Sequence, residues 1–351
     1  MKTCTVTFFY AKNYGTFLQA WALQKFMGEF NSLIYLNPSD NYHFYVNNRF
    51  KKIPFFRHFF ALLYYLFRRR KCFSEVSVML RHTRKYFSEK ELMENPPKSD
   101  IYIAGSDQIW NENMFWGAHY FLGFGSPNAK RIAYAASMGS KEWSNSFTQK
   151  VLPYLRKFNA ISVREESSVQ FLNSIGLENV AVTCDPTILH TADFYRSHFP
   201  CRENKCCNHI FIYRFQKKYS NSMQQFLSEK DIVELELNKH NKYVSVVQWL
   251  NNIDSSSAVI TDSFHGTVFS ILFHKPFIVF PQMAKDLQSR NERFVSLLKK
   301  VKLEYRLLNG SETKEEIEEI LYRPIDWEQV DKILEELRTY SADWLRNALE
   351  K

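Results

Sequence analysis

Val259-Ile-Thr-Asp-Ser-Phe-His-Gly-Thr-Val-Phe-Ser-Ile-Leu-Phe-His-Lys-Pro-Phe277 is the stretch that decides the fold. Val259 to Thr261 form a β-branched run and predict a buried strand. Asp262 and Ser263 are good helix N-cap types. Thr267 to Phe273 carry an apolar face at helical spacing. Pro276 ends that helix, and Phe277 to Phe280 predict the next strand. His265 and Gly266 therefore stand where a strand ends and a helix begins. In open α/β sheets ligands bind at that place, and the N–H groups and positive dipole end of a helix suit a phosphate or carboxylate. Histidine is also the side chain whose ordinary pKa suits proton transfer near neutral pH. The plainer alternative is a histidine that caps the helix or packs in the core.

The 351 residues suggest two domains of ordinary size. Apolar residues are 45% and charged residues 24%, which permits a normal core. The net charge of +9 favours anionic partners: phosphorylated small molecules, nucleic acid or an anionic membrane surface. Six cysteines, at 4, 72, 184, 201, 206 and 207, show no Cys-x-x-Cys spacing and no matching histidines. They predict reduced thiols and no zinc site. Lys2 is not followed by an apolar run with a cleavage site, so the expected location is cytoplasmic.

The order of elements is that of alternating strands and helices. Thr3 to Phe9 predict a strand, Thr16 to Met27 a helix, and Leu33 to Leu36 a second strand. The loop between the first two lacks Gly-x-Gly-x-x-Gly, so no dinucleotide fingerprint is present. Asn13, Tyr14 and Gly15 in that loop either place backbone N–H groups against a ligand or form a simple turn. Asp100 to Ala104 predict another strand, with Gly105-Ser-Asp-Gln-Ile-Trp-Asn111 at its carboxyl end. There Ser106, Asp107 and Gln108 supply donors and acceptors, and Trp110 offers a flat face for a sugar ring. The alternative is a capped helix start with a core tryptophan. Further strands are expected at Arg131 to Ser137, Ala160 to Val163 and Val180 to Thr183, with a helix over Phe147 to Phe158. Arg164 points from a strand end, where a guanidinium suits a carboxylate or phosphate, or pairs with Glu165, Glu166 or Asp185. Residues 1–200 thus read as one Rossmann-like domain and 201–208 as a linker. A second domain at 209–325 repeats the pattern, and a helix over 326–351 packs back across the domains. Arg290 and Arg293 stand at a helix start, an unfavourable place for cations unless an anion is bound there or Glu292 and Asp286 pair with them.

Residues 49–71 carry an aromatic middle between basic clusters, inside an insert of about 49–95. The segment is too short to span a bilayer, which takes about 20 apolar residues. It fits an interfacial helix on anionic lipid, or a helix packed on the body of the protein. Val76 to Phe87 are expected to continue as a second helix bearing Arg81, Arg84 and Lys85.

Six short motifs, in order, resemble the polysaccharide pyruvyl transferase family. They are Asn13-Tyr14-Gly15 with Leu18-Gln19-Ala20 and Ala22-Leu23-Gln24; Ala104 to Asn111; Tyr134-Ala135-Ala136-Ser137; Ser162-Val163-Arg164-Glu165; Asp185-Pro186-Thr187; and Thr261 to Gly266. They span about residues 1–300. The resemblance implies two Rossmann-like domains facing across a cleft, similar to the GT-B arrangement of glycosyltransferases. It implies phosphoenolpyruvate as donor substrate, no cofactor and no metal, and a cyclic pyruvate ketal on a sugar as product. It also implies that His265 is catalytic. Some relatives have Arg two residues before that histidine, where this chain has Ser263; Arg164, Arg290 and Arg293 are the substitutes.

The chemistry asks for an acid near carbon 3 of the donor and fixed cations for its carboxylate and phosphate. His265 is the candidate acid/base, Asp262 orients it, and Asp107 is the second choice, for deprotonating a sugar hydroxyl. Ser263 and Gly266 complete the helix-end anion site. The acceptor expected from this reading is a sugar on undecaprenyl diphosphate, at the inner membrane face, in capsule or exopolysaccharide assembly. The competing reading is a GT-B-type glycosyltransferase using a nucleotide sugar. A nucleic-acid-binding or membrane scaffold is disfavoured, because the basic residues cluster in the insert rather than along the motifs. A cation near anionic lipid contributes about 1 kcal/mol. Neutralising Arg68, Arg69, Arg70 and Lys71 should therefore weaken sedimentation with phosphatidylserine vesicles by at least roughly tenfold. Unchanged binding would mean that the insert packs on the protein.

Overall fold

Runs such as Thr3–Val6 and Ile101–Ala104 are buried at every residue, as strands of a parallel sheet covered on both faces must be. In this computed structural model, residues 1–9, 13–36, 78–114, 117–200, 208–215, 219–236, 244–280 and 291–350 are described. The insert at 49–71, Arg290 and residues 201–207 lie outside them.

The chain divides into two units: Met1–Leu189 with Tyr340–Lys351, and His190–Thr339. The first unit holds strands β1 Thr3–Val6, β2 Asn31–Leu36, β3 His82–Tyr86, β4 Ile101–Ala104, β5 Lys130–Ala136, β6 Ala160–Val163 and β7 Ala181–Val182. They form one sheet in the order β3-β2-β1-β4-β5-β6-β7. Every pairing is parallel. The strand order reverses between β1 and β4, which makes the ends of those two strands the topological switch point of a doubly wound sheet. Helices α1 Tyr14–Met27, α2 Glu89–Glu94, α3 Asn145–Leu155 and α4 Glu166–Ser174 belong to this unit.

The second unit holds β8 Ile210–Arg214, β9 Ile232–Glu236, β10 Ala258–Thr261 and β11 Phe277–Val279, in the parallel order β11-β10-β8-β9. Its switch point lies between β8 and β10. The helices are α5 Ala192–His198, α6 Asn221–Ser228, α7 Val246–Ser255, α8 Phe264–Leu272, α9 Glu292–Lys300 and α10 Lys314–Tyr322. The terminal helix α11, Trp327–Glu350, runs through the division between Thr339 and Tyr340. In its first half Asp331 meets His274 Nε2 at 2.8 Å, and Trp327 stacks on that imidazole. In its second half Ser341 Oγ accepts from the Cys184 N–H and Leu345 is fully buried.

The expected helix over Val76 to Phe87 is corrected by β3. Leu33, Tyr35 and Leu36 of β2 pair with His82, Lys85 and Tyr86. An edge strand tolerates charge: only Tyr86 of the strand is buried, while Arg84 and Lys85 lie over the rings of Tyr86 and Tyr35. The span assigned to the insert thus contains a strand of the sheet itself. Cys4 and Cys184 are buried thiols, not disulfides.

Arg306 is fully buried and aimed at the carboxyl end of α10. Its guanidinium donates to the carbonyls of Phe277, Ile320 and Leu321 at 3.2, 2.6 and 2.9 Å, and to that of Arg323. It answers the negative dipole end of α10 and fixes that end to β11. Arg306→Ala leaves these carbonyls buried without their donor, and should lower unfolding free energy by about 3 kcal/mol. Urea unfolding followed by circular dichroism measures it, and a loss under about 1 kcal/mol would contradict this role.

Candidate functional site

In the first unit the loops after β1 and β4 meet at the switch point. Gly105 makes this approach possible, since a Cβ there would stand 3.0 Å from Thr7 Cβ. Thr7 Oγ1 donates to the Ser106 carbonyl at 2.8 Å. Asp107 adopts φ +73°, a conformation that costs a non-glycine residue of the order of 1 kcal/mol or more and gathers at functional sites. Its Oδ2 accepts from Thr16 Oγ1 at 3.0 Å and its Oδ1 from the Gln108 N–H at 2.9 Å. Its carbonyl accepts from the Ser137 N–H, tying β4 to the end of β5. The expected Asn13 to Gly15 and Ser106 to Gln108 groups are therefore brought together.

Two of these expectations need correction. Asn13 Oδ1 accepts from the Gly15 and Thr16 N–H groups, so it serves as the cap of α1 and takes up donors that a ligand would use. Tyr14 beside it is fully buried. Trp110 is also fully buried: it stacks on Phe121 at 5.5 Å, and its Nε1 donates to the Tyr120 carbonyl. It is a core residue and offers no face to a sugar. Its indole is satisfied by local backbone, as large aromatic residues with a polar handle require.

Arg164 is the third correction. Only 5% exposed, it donates through Nη1 to Asp185 Oδ2 at 2.7 Å and through Nε to Glu165 Oε1 at 3.2 Å. Burial alone would weaken its charge, yet Glu165, Asp185 and Asp107 hold its pKa above the ordinary arginine value. Three carboxylates around one cation leave no positive excess for a dianion. The network continues outward: Ser106 Oγ to Asp185, Thr187 Oγ1 to Asp185 at 2.6 Å, and Ser137 Oγ to Glu165 at 2.7 Å. The sequence places Glu165 and Asp185 in family motifs and offers them as possible partners of Arg164, with no further role. Thr16, beside the Asn13-Tyr14-Gly15 motif, carries no expected role, and Ser137 stands in a motif without a role of its own.

In the second unit the expected site lies at the start of a helix that follows a strand. Asp262 and Ser263 follow β10, and α8 begins at Phe264. Asp262 Oδ1 accepts from the Phe215 N–H at 2.8 Å, which joins the ends of β8 and β10 across the switch point. This is the hydrogen bond that places Asp262. Ser263 caps α8 by accepting from the Gly266 N–H at 3.2 Å. Gly266 is required there, since a Cβ would fall 2.6 Å from Thr261 Oγ1. His265 lies in the first turn of α8, 6% exposed, its ring edge-on to Phe264 at 5.3 Å. The guanidinium of Arg293, one residue into α9, sits over the Phe264 ring at 5.7 Å. Thus His265, the start of α8 and a half-buried cation come together. Among the described residues no three His, Cys, Asp or Glu side chains group as a metal cage. No described helix is long and apolar enough to cross a membrane.

A family model described as polysaccharide pyruvyl transferase matches residues 13–282. No curated protein matches the chain at a significant level. Among solved structures, a UDP-GlcNAc 2-epimerase from Neisseria meningitidis bound to UDP-GlcNAc is similar at TM-score 0.52 and 13% identity, over 99% of each chain. The Methanocaldococcus jannaschii UDP-GlcNAc 2-epimerase, in complex with UDP-GlcNAc and UDP, gives 0.50 and 13%, over 97% of this chain and 100% of that one. The Rickettsia bellii enzyme gives 0.52 and 10%, over 100% and 96%. At such identities the likeness is one of fold: two Rossmann-like units of the GT-B-like class, as the sequence predicts.

Removing Arg164 leaves buried carboxylates without their cation, which costs about 3–5 kcal/mol. Arg164→Ala should therefore lose about 3–5 kcal/mol of unfolding free energy in guanidinium titration. Unchanged stability together with a raised KM for an anionic donor would return Arg164 to the donor site.

Proposed function

The chain belongs to the polysaccharide pyruvyl transferase family, and on that premise we propose that it moves the pyruvyl group of phosphoenolpyruvate onto two hydroxyls of one sugar. The products are a cyclic ketal and inorganic phosphate. The observation that carries the reading is the meeting of His265, the start of α8 and Arg293 at the switch point of the second sheet. A helix N-terminus and a guanidinium suit the donor's carboxylate and phosphate. The first unit, where Glu165, Asp185 and Asp107 surround the one guanidinium of Arg164, suits a neutral polyhydroxyl acceptor instead.

In this scheme His265 gives a proton to carbon 3 of the donor, which makes carbon 2 electron-poor. One sugar hydroxyl attacks carbon 2 and loses its proton, with Asp107 as acceptor of that proton. Phosphate then leaves as the second hydroxyl closes the ring, and it carries off that hydroxyl's proton. Asp262 holds the turn that carries His265, through its bond to Phe215. Neither metal nor cofactor enters this scheme. The acceptor we assign is a sugar on a lipid diphosphate such as undecaprenyl diphosphate, used in capsular or exopolysaccharide assembly. The enzyme would work in the cytoplasm, with residues 49–71 reaching the anionic inner membrane face.

A positioned acid or base contributes about 10²–10⁴ in rate. His265→Ala should thus reduce acceptor-dependent phosphate release from phosphoenolpyruvate at least about 10²-fold while the melting temperature holds. Normal turnover would remove His265 from the mechanism. Turnover of a nucleotide sugar with phosphoenolpyruvate untouched would favour a glycosyltransferase.

A further inference from the structure

Two polar side chains in the first unit, one after β4 and one after β6, are buried with one atom each left unsatisfied among the described residues. Glu165 is 2% exposed; its Oε1 accepts from Ser137 and Arg164, while Oε2 has no hydrogen-bond partner. Gln108 is 4% exposed; its Oε1 accepts from Asn111 Nδ2 at 3.3 Å, while Nε2 donates to nothing. Leaving such groups unmet costs free energy, so each demands a partner that the described residues do not supply. The two belong to one patch. Gly139 donates its N–H to Ser137 Oγ, the hydroxyl that holds Glu165, and a Cβ on Gly139 would stand 3.3 Å from the Gln108 amide carbon. Gly139 has φ +67°, and a Cβ there would also strike Asn111 Nδ2 at 2.3 Å. Only glycine lets the loop after β5 lie this close to the amides. Ser168 Oγ, in the first turn of α4, is likewise buried and unsatisfied. Glu166, next to Glu165, is exposed.

A carboxylate oxygen that needs a donor and an amide nitrogen that needs an acceptor are complementary to hydroxyls, which supply both. They do not suit a phosphate, which would face the carboxylates of Glu165, Asp185 and Asp107. We propose that Glu165 and Gln108 bind the sugar acceptor, Glu165 Oε2 accepting from one hydroxyl and Gln108 Nε2 donating to it or to its neighbour. The assignment rests on the sugar-modifying reading above and adds to it Glu165, the residue that fixes which hydroxyl is held. Arg164 is then a positioning residue, which holds the Glu165 carboxylate in place by donating through Nε to its Oε1.

The test uses the methyl glycosides of glucose, galactose and mannose as probes, with binding to the full chain followed by saturation-transfer NMR. At least one glycoside should bind the native protein, and Glu165→Gln should weaken it by at least about tenfold, as loss of a charge-assisted hydrogen bond does. Gln108→Leu gives the second variant, with the same expectation, should Glu165→Gln fold poorly. In turnover, both variants should raise the KM for acceptor while the KM for phosphoenolpyruvate stays within about twofold, a split that general loss of structure would not give. No glycoside binding by the native protein, or equal binding by both variants, would overturn the proposal and leave the unsatisfied atoms to ordered water. Glycoside binding lost in the variants, with no phosphate released from phosphoenolpyruvate by the native protein, would retain this site and overturn the pyruvyl-transfer reading.

Discussion

One guanidinium organises the functional end of the first unit. Arg164 leaves the end of β6 and is held by Glu165 and Asp185, with Asp107 close enough to act on it electrostatically. Through those carboxylates it reaches Ser137 after β5, Ser106 after β4 and Thr187 after β7. Thr16 of α1 joins through Asp107. A buried ion pair is seldom a large net source of stability, because desolvation offsets the attraction. Its value here is that of a fixed geometry: five loop ends are set by hydrogen bonds whose loss would leave charge in the interior.

The second unit works by the opposite sign. Its switch point is joined by Asp262 and Phe215, and what it presents is the start of a helix, an imidazole and the guanidinium of Arg293. In the transfer we propose, the carboxylates around Arg164 in one unit take the neutral diol, and the start of α8 with Arg293 in the other takes the small anion.

Much of the architecture was legible in the sequence because parallel strands are short, apolar and separated by helices. Val259 to Phe277 predict β10 and β11 to within a residue, while α8 begins three residues before the apolar run at Thr267. β3 was not legible, since His82 to Tyr86 carry the charge of an edge strand and pair with residues about fifty positions earlier. The helix α10 escaped notice although Thr313 and Glu316 form a capping box, a signal readable from the sequence. At the site, residue types were right and exposures were not. Trp110 and Arg164 stand at strand ends, yet one is walled in by aromatic rings and the other by carboxylates. A sequence does not show which side of a loop is covered. Glu165 was read as a counter-ion for the same reason, since its second oxygen is visible only once the first is placed.

The most direct measurement is mass spectrometry of lipid-linked sugars incubated with the protein and phosphoenolpyruvate, with inorganic phosphate followed in parallel. The account predicts one pyruvate ketal on the sugar for each phosphate released, with release depending on acceptor. Sugars that keep their mass while phosphoenolpyruvate is consumed, or that gain a hexose from a nucleotide sugar instead, would contradict it.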